Sequence, residues 1–589
     1  MLKITLDRIE ELGLDCIAQE ELDKVRESVL IDCLRQDDGE IAIGSSKFGG
    51  HPDVPEGFKW PVVQAEGVLN SLPMAFFFQL NFEQIAEYDE SCQLPKKGLL
   101  LLFIFINLIL YSNKLPLFGE EHRRSIVAQE MMLTGNYIVP TIFQQPYLNK
   151  PPLQNWLISA ASLPFGEVTA FSARLVSILS FVLIALSMYL FMLKVKPEIA
   201  FTALLIVATN YLMLCEYSNM AEPDMLVTLF TFLAYIFYIL NPRRFANILV
   251  SSIFMGAGIL TKGVSPIFFY PGIVAYLFTV KQNRSKMFAF LGLHLVMSLI
   301  LPAAWAAMYY FQGDTLQLAR NFSHELTTRA DRSFWQFMVH LFYFPIRVFA
   351  VLLPWSLVLW YAFRKQVIKD PAYASSFAIF IISAVIFIAV PGSRDRYLMP
   401  AYPFFAIVAA YHIDALKMPS RKFQQIVFGI LACGAIGMAV YFVILNYYIQ
   451  AAMFIVLSVI CLRLIGKRFR IIEFATAFVL IFFIFYEHGL YYYRTYDRYN
   501  YQSETAELSD YLRQPVPVVV HPSINIRTGL YIEKMRKEPV FRQGLKDFGR
   551  YYFVTYPDKL DTTAIEIART HRPDHPERSL VLQYHEDSN

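Results

Sequence analysis

Apolar residues in this chain fall in long blocks rather than in the short alternations of a soluble core. Runs lie near 98–112, 169–193, 198–214, 224–240, 246–261, 264–280, 287–311, 339–362, 374–391, 397–415, 423–444, 446–465 and 471–490. Most reach the length of about 17–25 residues that a helix needs to cross hydrocarbon. The pattern predicts an all-α polytopic membrane protein with about 13 transmembrane helices. The flanks read differently. Residues 1–98 are polar, with a Gly/Pro-punctuated loop at 46–61 and an alternating strand-like MAFFFQLNF at 74–82. Residues 491–589 carry strand patterns at 515–522 and 551–557 and a helix pattern at 503–513, which predicts a small α/β unit. The chain therefore divides into three segments: 1–98, a soluble piece with room for only a modest core; 99–490, the membrane body; and 491–589, a second small soluble domain.

Composition agrees with the pattern. Hydrophobic residues make up 56% and charged residues 17%, against roughly 25% charged in ordinary soluble domains. Charge sorts by side. Short basic clusters, such as Lys194 with Lys196, Arg243 with Arg244, and Arg463 with Lys467, Arg468 and Arg470, fill one alternating set of loops. The positive-inside bias puts that set in the cytosol with residues 1–98, and puts the long loops 113–168 and 312–338 and the tail outside. The six cysteines show no CxxC or metal-ligand spacing, and only Cys215 would lie outside the cytosol or the membrane core, so no disulfide is expected. No cleavable signal peptide is evident, and no nucleic-acid partner is expected.

The outside loops are the unusual ones: GEEHRR (119–124), NKPPLQNW (149–156), AEPD (221–224), TKG (261–263), RNFSHELTTR (320–329) and GSRDRYLMP (392–400). They carry charges of both signs beside Pro and Gly. Glu120, Glu121, Arg123 and Arg124 open a helix running to about Met132. Ile126, Val127, Met131 and Met132 recur at helical spacing, so the helix is expected to lie along the membrane surface. First-turn carboxylates suit the helix dipole. The functional reading is a carboxylate at the membrane boundary that accepts a proton or holds a divalent metal. Lys150 precedes Pro151-Pro152 and the helical spacing of Leu153, Trp156 and Leu157. A cation at a helix N-terminus opposes the dipole unless an anion sits between them, so Lys150 reads as a phosphate ligand or as a lysine snorkelling to the interface. Asp224, after Pro223 and beside Glu222, reads equally as an N-cap or as part of a catalytic group. Lys262, Arg394 and Arg396 are cations at outer span ends and suggest an anionic ligand at headgroup level. His324 and Glu325 form a weak metal-binding pair.

The membrane body resembles the ArnT-like, dolichyl-phosphate-mannosyltransferase-related group of GT-C glycosyltransferases. The residues that carry the resemblance are 119–157, from GEEHRR through KPPLQNWL, then FSARLVS (171–177), AEPDMLVTLF (221–230), GILTKG (258–263) and RDRYLMPAYP (394–403). It implies an inverting transfer of a sugar from a polyprenyl-phosphate donor to a lipid, glycan or protein acceptor, on the periplasmic face of a bacterial inner membrane. It puts the family's catalytic acidic residue, a general base or metal-binding carboxylate, at Glu120, where an Asp is usual, with Glu121 and Asp224 in support. It gives Lys150 to the donor phosphate, with Arg123, Lys262, Arg394 and Arg396 as further cations. A divalent metal stays open, with Glu120 and His324 as candidate ligands. Asn149 and Leu326 depart from the aminoarabinose transferases at a Glu and a His, which weakens the case for a bound metal of that type and for aminoarabinose as the sugar. Residues 46–102 resemble part of a YwqG-like domain of unknown function. The alternative is a polytopic lipid or glycan transporter or flippase, which would place ionisable groups at mid-membrane; a non-catalytic anchor is a second alternative.

Overall fold

A computed structural model describes residues 115–240, 244–279, 284–312, 334–353, 355–356, 370–415, 421–444, 448–465, 501–542, 548–571 and 578–586, with scattered positions in 102–112. The N-terminal segment 1–98, His324, the run 471–490 and Cys16, Cys33 and Cys92 lie outside the described residues. The chain divides into two compact units: Met1–Phe103 with Met192–Glu198, and Ile104–Phe191 with Ile199–Asn589. The second holds nearly all of the described elements.

It opens with α1 (Glu121–Thr134), a hairpin of β1 (Thr141–Ile142) and β2 (Gln145–Pro146), and α2 (Leu153–Ser162). The membrane body comes next: α3 (Ala170–Val195), α4 (Ala200–Ala208), α5 (Pro223–Leu240), α6 (Phe245–Lys262), α7 (Phe269–Thr279), α8 (Arg284–Ser298), α9 (Ile300–Gln312), α10 (Phe334–Val351), α11 (Pro371–Ala389), α12 (Tyr402–Ala415), α13 (Arg421–Ile444) and α14 (Tyr448–Leu464). Among the described residues, five helices are long and apolar enough to cross a bilayer, α8 and α9 counting together as Arg284–Gln312. Side chains such as Val296, Ile300, Tyr310 and Phe311 on α8 and α9 stay exposed, as lipid-facing positions do.

Helix ends obey local chemistry. Asp370 caps α11 by accepting the N–H groups of Ala372 and Tyr373 at 2.8 and 3.3 Å, with Pro371 at the first helical position. Gly135 ends α1 at φ 70, its N–H returning to the Met131 carbonyl at 2.9 Å. The apolar run at 198–214 breaks into α4 and a π-helical stretch, Leu212–Tyr217. Such widened turns often mark functional regions, and this one carries Glu216 and Tyr217 out of the run.

The C-terminal part has α15 (Tyr501–Glu507), α16 (Ser509–Leu512), β3 (Val518–Val520), α17 (Ile526–Arg536), β4 (Arg550–Thr555), β5 (Ile565–Arg569) and β6 (Val581–Glu586). The four strands form one sheet in the order β3-β4-β6-β5. β3 runs parallel to β4, and the other two pairings are antiparallel. This sheet does not keep its core to itself. Val518, Val520, Leu530, Ile532, Val554 and Leu582 share one buried cluster with Ile126, Val127, Met131, Phe143 and Ile158 from the first loop.

That shared core corrects one expectation. α1 does not keep one wet face, as a helix lying open on a surface would: Glu121, His122 and every residue from Arg124 to Met131 are buried. Burial also pushes the His122 imidazole down to about 4, with Arg527 of α17 acting in the same direction, so this ring is neutral at pH 7. The join is tight at Gly529, where a Cβ would fall on the Phe143 ring. Phe143 is itself fully buried. Gly529→Ala should therefore cost about 1–3 kcal/mol through overpacking, read as an earlier thermal unfolding of the purified protein. An unchanged midpoint would show that the ring can move aside.

Candidate active site

The first loop, the loop before α5 and helix α3 meet at one ionic knot built around Glu121. Arg174, in the second turn of α3, donates from Nε to Glu121 Oε1 and from Nη2 to Oε2, both at 2.8 Å. Its remaining N–H groups reach the carbonyls of Ser112, Leu115 and Pro116 at 2.6–2.8 Å. The Glu121 carboxylate also accepts the N–H of Phe118 at 2.7 Å and of Ala221 at 2.9 Å. Both side chains are fully buried. A bidentate pair whose lone pairs and protons are this fully used is the geometry in which a buried ion pair holds. Glu121, expected in the catalytic group, is thus committed to scaffolding: with donors on both carboxylate oxygens it has no vacancy from which to take a proton. It ties the first loop to α3 and to the loop before α5.

That tie places the next residue, Glu120, at the surface end of α1. Its side chain is 41% exposed and pairs with Arg123. Arg123 also lies 5.9 Å from the Tyr147 ring centroid. One turn further, Arg124 is buried and turns inward. Its Nη1 donates to the Tyr147 hydroxyl at 3.2 Å, and its Nε faces Glu222 at 3.7 Å. Arg396 reaches the other Glu222 oxygen at 3.2 Å. Asp224, in the first turn of α5, pairs with Lys262 at the end of α6. Lys262 and Arg396 lie 5.2 and 5.8 Å from the Tyr397 ring centroid. Beside them Arg347 donates to Asp395 at 2.9 Å.

Loops 119–124, 221–224, 261–263 and 392–400, singled out separately in the sequence, therefore close on one another. The cluster of Arg124, Lys262 and Arg396 against Glu222 and Asp224 has a cation in excess. Burial raises the Glu222 carboxyl above its ordinary value although Arg124 opposes it, and Asp224 pushes the same way. For Arg124, burial works to discharge the guanidinium, but Glu222 overcomes it and the net shift is upward. Arg124 stays charged while burial works against the Glu222 carboxylate, and with a cation in excess the site favours an incoming anion.

Asp224 lies inside the first turn of α5, and its side chain is turned to Lys262. Lys150 is half-buried, two residues before the Pro152 cap of α2. Arg394 is exposed and stands outside the buried cluster. Among the described residues no group of three or more His, Cys, Asp or Glu gathers to hold a metal. Glu120, Glu222 and Asp224 each already face a cation. Cys215, Cys433 and Cys461 are free.

Arg174 and Arg347 went unmarked in the sequence reading, although a signal existed. Each is an arginine within a predominantly apolar run, where an ionisable group is costly and needs a partner. Tyr147 had no such signal; only the folded hairpin brings it to Arg124.

Two families match the chain: dolichyl-phosphate-mannose-protein mannosyltransferase over residues 149–305, and a domain of unknown function (DUF1963) over residues 46–117. An undecaprenyl phosphate-alpha-4-amino-4-deoxy-L-arabinose arabinosyl transferase of Proteus mirabilis is 24% identical over 369 residues, covering 58% of this chain and 65% of that protein. The corresponding protein of Aeromonas hydrophila is 28% identical, covering 55% and 61%. The chain thus spans somewhat under two thirds of the length of these relatives. The crystal structure of ArnT from Cupriavidus metallidurans bound to undecaprenyl phosphate superposes with a TM-score of 0.66 at 16% identity, over 85% of this chain and 99% of that one. The fold is ArnT-like, and the resemblance read from the sequence is borne out.

Proposed function

We propose that this chain, an ArnT-like GT-C protein by fold, is a membrane glycosyltransferase that takes a sugar from a polyprenyl-phosphate donor and passes it to a lipid, glycan or protein acceptor. The observation that carries the reading is the convergence of four charged loops into one cluster with an excess of cations, beside a half-exposed carboxylate. The names of the relatives supply the donor class, a sugar on undecaprenyl phosphate. The loop charges support a periplasmic site in a bacterial inner membrane, with residues 1–98 in the cytosol, 99–490 as the membrane domain and 491–589 outside.

In this reading the donor phosphate is met by Lys150, Lys262, Arg396 and Arg123, with Arg394 at the rim. Charge builds on that phosphate as the bond to the sugar breaks, and fixed cations in a partly desolvated site stabilise it. Glu120 takes the proton from the acceptor hydroxyl or amine as that group attacks the sugar carbon from the face opposite the phosphate, inverting its configuration. Asp224 holds Lys262 in place, and Glu222 does the same for Arg124 and Arg396. Transport is the weaker reading, because Arg174 and Arg347 are both held in ion pairs with carboxylates rather than free within the membrane body.

The test is a purified-enzyme assay for consumption of a polyprenyl-phosphate sugar, beside mass spectrometry of lipids and surface glycans from cells with and without the protein. Lys150→Ala should lower kcat/KM about 10²-fold or more, the size of effect seen when one charged stabiliser is removed. Wild-type turnover on lipid-linked sugars with no dependence on Lys150 would sink its assignment to the phosphate. No turnover on any lipid-linked sugar, with surface glycans unaltered, would sink the transferase reading.

A further inference from the structure

We propose that Glu130 and Glu533 share a single proton, and that this shared proton latches the hairpin ahead of Lys150, making Glu533 a positioning residue for the transfer. The two side chains come from distant parts of the chain, α1 and α17, and both are fully buried.

Glu130 grips the hairpin. It accepts the Thr141 hydroxyl at 2.5 Å, the Phe143 N–H, and the Gln144 backbone N–H and side-chain Nε2 at 3.2 and 2.9 Å. The hairpin needs that grip. Ile142 pairs with Gln145 across a two-residue turn, and its central residues Phe143 and Gln144 have φ of 55 and 58. Such a turn favours Asn and Gly; bulkier residues there carry a backbone cost. Carboxylate bonds to the turn amides offset it. The same turn drives the Phe143 ring against Gly529 of α17, with the Arg542 guanidinium 4.4 Å over its face.

Glu533 stands behind Glu130. Its Oε1 accepts the Val540 N–H at 3.2 Å, while its Oε2 receives no donor from the protein. α1 packs on α17 here, and the two wholly buried carboxyls lie within hydrogen-bonding reach of each other. The cations of the surrounding elements are turned elsewhere: Lys534 to Glu167, Arg536 to Glu538 and the Leu512 and Gln514 carbonyls, Arg527 over Tyr501, and Arg542 over Phe143. From the hairpin the pair meets only the neutral Thr141, Phe143 and Gln144, and from α1 the flanking Gln129 is also neutral. Two buried carboxylates in contact without a cation cannot both be ionised. One proton between them supplies the missing donor. Burial, then Glu130, pushes the Glu533 carboxyl well above its ordinary value, and burial raises Glu130 as well.

The latch bears on the site through the segment just after the hairpin. The Tyr147 N–H closes back on the Pro140 carbonyl at 2.7 Å, its hydroxyl meets Arg124, and Lys150 comes three residues later. A carboxyl raised in the folded state stabilises fully below its unfolded pKa and loses that contribution as pH rises through the folded value. The latch is therefore closed in acid and opens on the alkaline side, weakening by up to about ten-fold per pH unit over that window.

The experiment uses the full chain in detergent or nanodiscs. Hydrogen exchange of peptides covering 141–150, corrected for intrinsic rates, is followed from about pH 5 to 9, where buried glutamates titrate, in wild type and Glu533→Gln. Turnover of a polyprenyl-phosphate sugar is followed over the same range; this arm alone rests on the transferase reading. Wild-type protection should fall toward high pH. In Glu533→Gln, whose amide donates without titrating, protection should stay level and the alkaline loss of turnover should disappear. A wild-type hairpin whose protection ignores pH overturns the latch, even if the variant fails to fold. So does a Glu533→Gln profile that falls as the wild type does. Absence of turnover in every sample, with the exchange arm as expected, overturns the transferase reading and leaves the latch standing.

Discussion

Glu120→Gln should abolish sugar transfer while leaving the protein folded. Positioned proton acceptors typically contribute about 10²–10⁴-fold to rate, and a glutamine of the same shape removes the basicity alone. The fold should tolerate the change because Glu120 is 41% exposed and its ionic partner is Arg123 on the same helix; such exposed pairs contribute little to stability. The measurement is kcat for a lipid-linked sugar beside a thermal unfolding curve. A variant with full kcat would move the base elsewhere, and Glu121 could not replace it, since both its oxygens are already engaged.

Arg174→Ala should do the opposite, removing the fold and the activity together. It strips a fully buried carboxylate of two charge-assisted bonds and leaves the Ser112, Leu115 and Pro116 carbonyls without their donor. Breaking a buried pair from one side costs about 3–5 kcal/mol, a large share of the stability of a typical domain. The expected outcome is a low yield of dispersed protein and a lowered unfolding temperature in detergent. Glu121→Gln should be milder, since the amide oxygen still accepts. Were Arg174→Ala as stable as wild type with only catalysis lost, Arg174 would be part of the chemistry and the scaffolding role of this knot would fall. Neighbouring glutamates in GEEHRR thus predict two different phenotypes.

The helices of the body were legible in the pattern of apolar runs. α3, α5, α6 and α11 begin and end within a few residues of the runs at 169–193, 224–240, 246–261 and 374–391, because a helix in lipid must be apolar along its length and must satisfy its own backbone. The run at 198–214 read less well: it breaks after Ala208 and resumes as a π-helical stretch to Tyr217, whose side chain meets Arg396, a contact that hydropathy does not show. The strands at 515–522 and 551–557 were also legible, as short runs of β-branched and aromatic residues beside prolines. The partner that α1 chose was not. Its apolar positions suggested one buried stripe, whereas α17 and the hairpin bury the polar positions too, among them Ser125, Gln129 and Glu130.

The same division holds in the site. The sequence by itself determined which residue types stand at the ends of which spans, and so which loops carry carboxylates and cations, since hydrophobic length and loop composition are local properties. Only the tertiary structure decided what each charge does. Glu120 and Glu121 are adjacent and chemically identical, yet one is half exposed and the other is locked to an arginine in the second turn of α3. Asp224 read equally as a cap or as part of a catalytic group, and it pairs with Lys262; Glu130, unmarked in the sequence, is buried and grips the hairpin. The physical reason is that the role of an ionisable group is set by burial and by its partner, and both come from parts of the chain that only folding brings together.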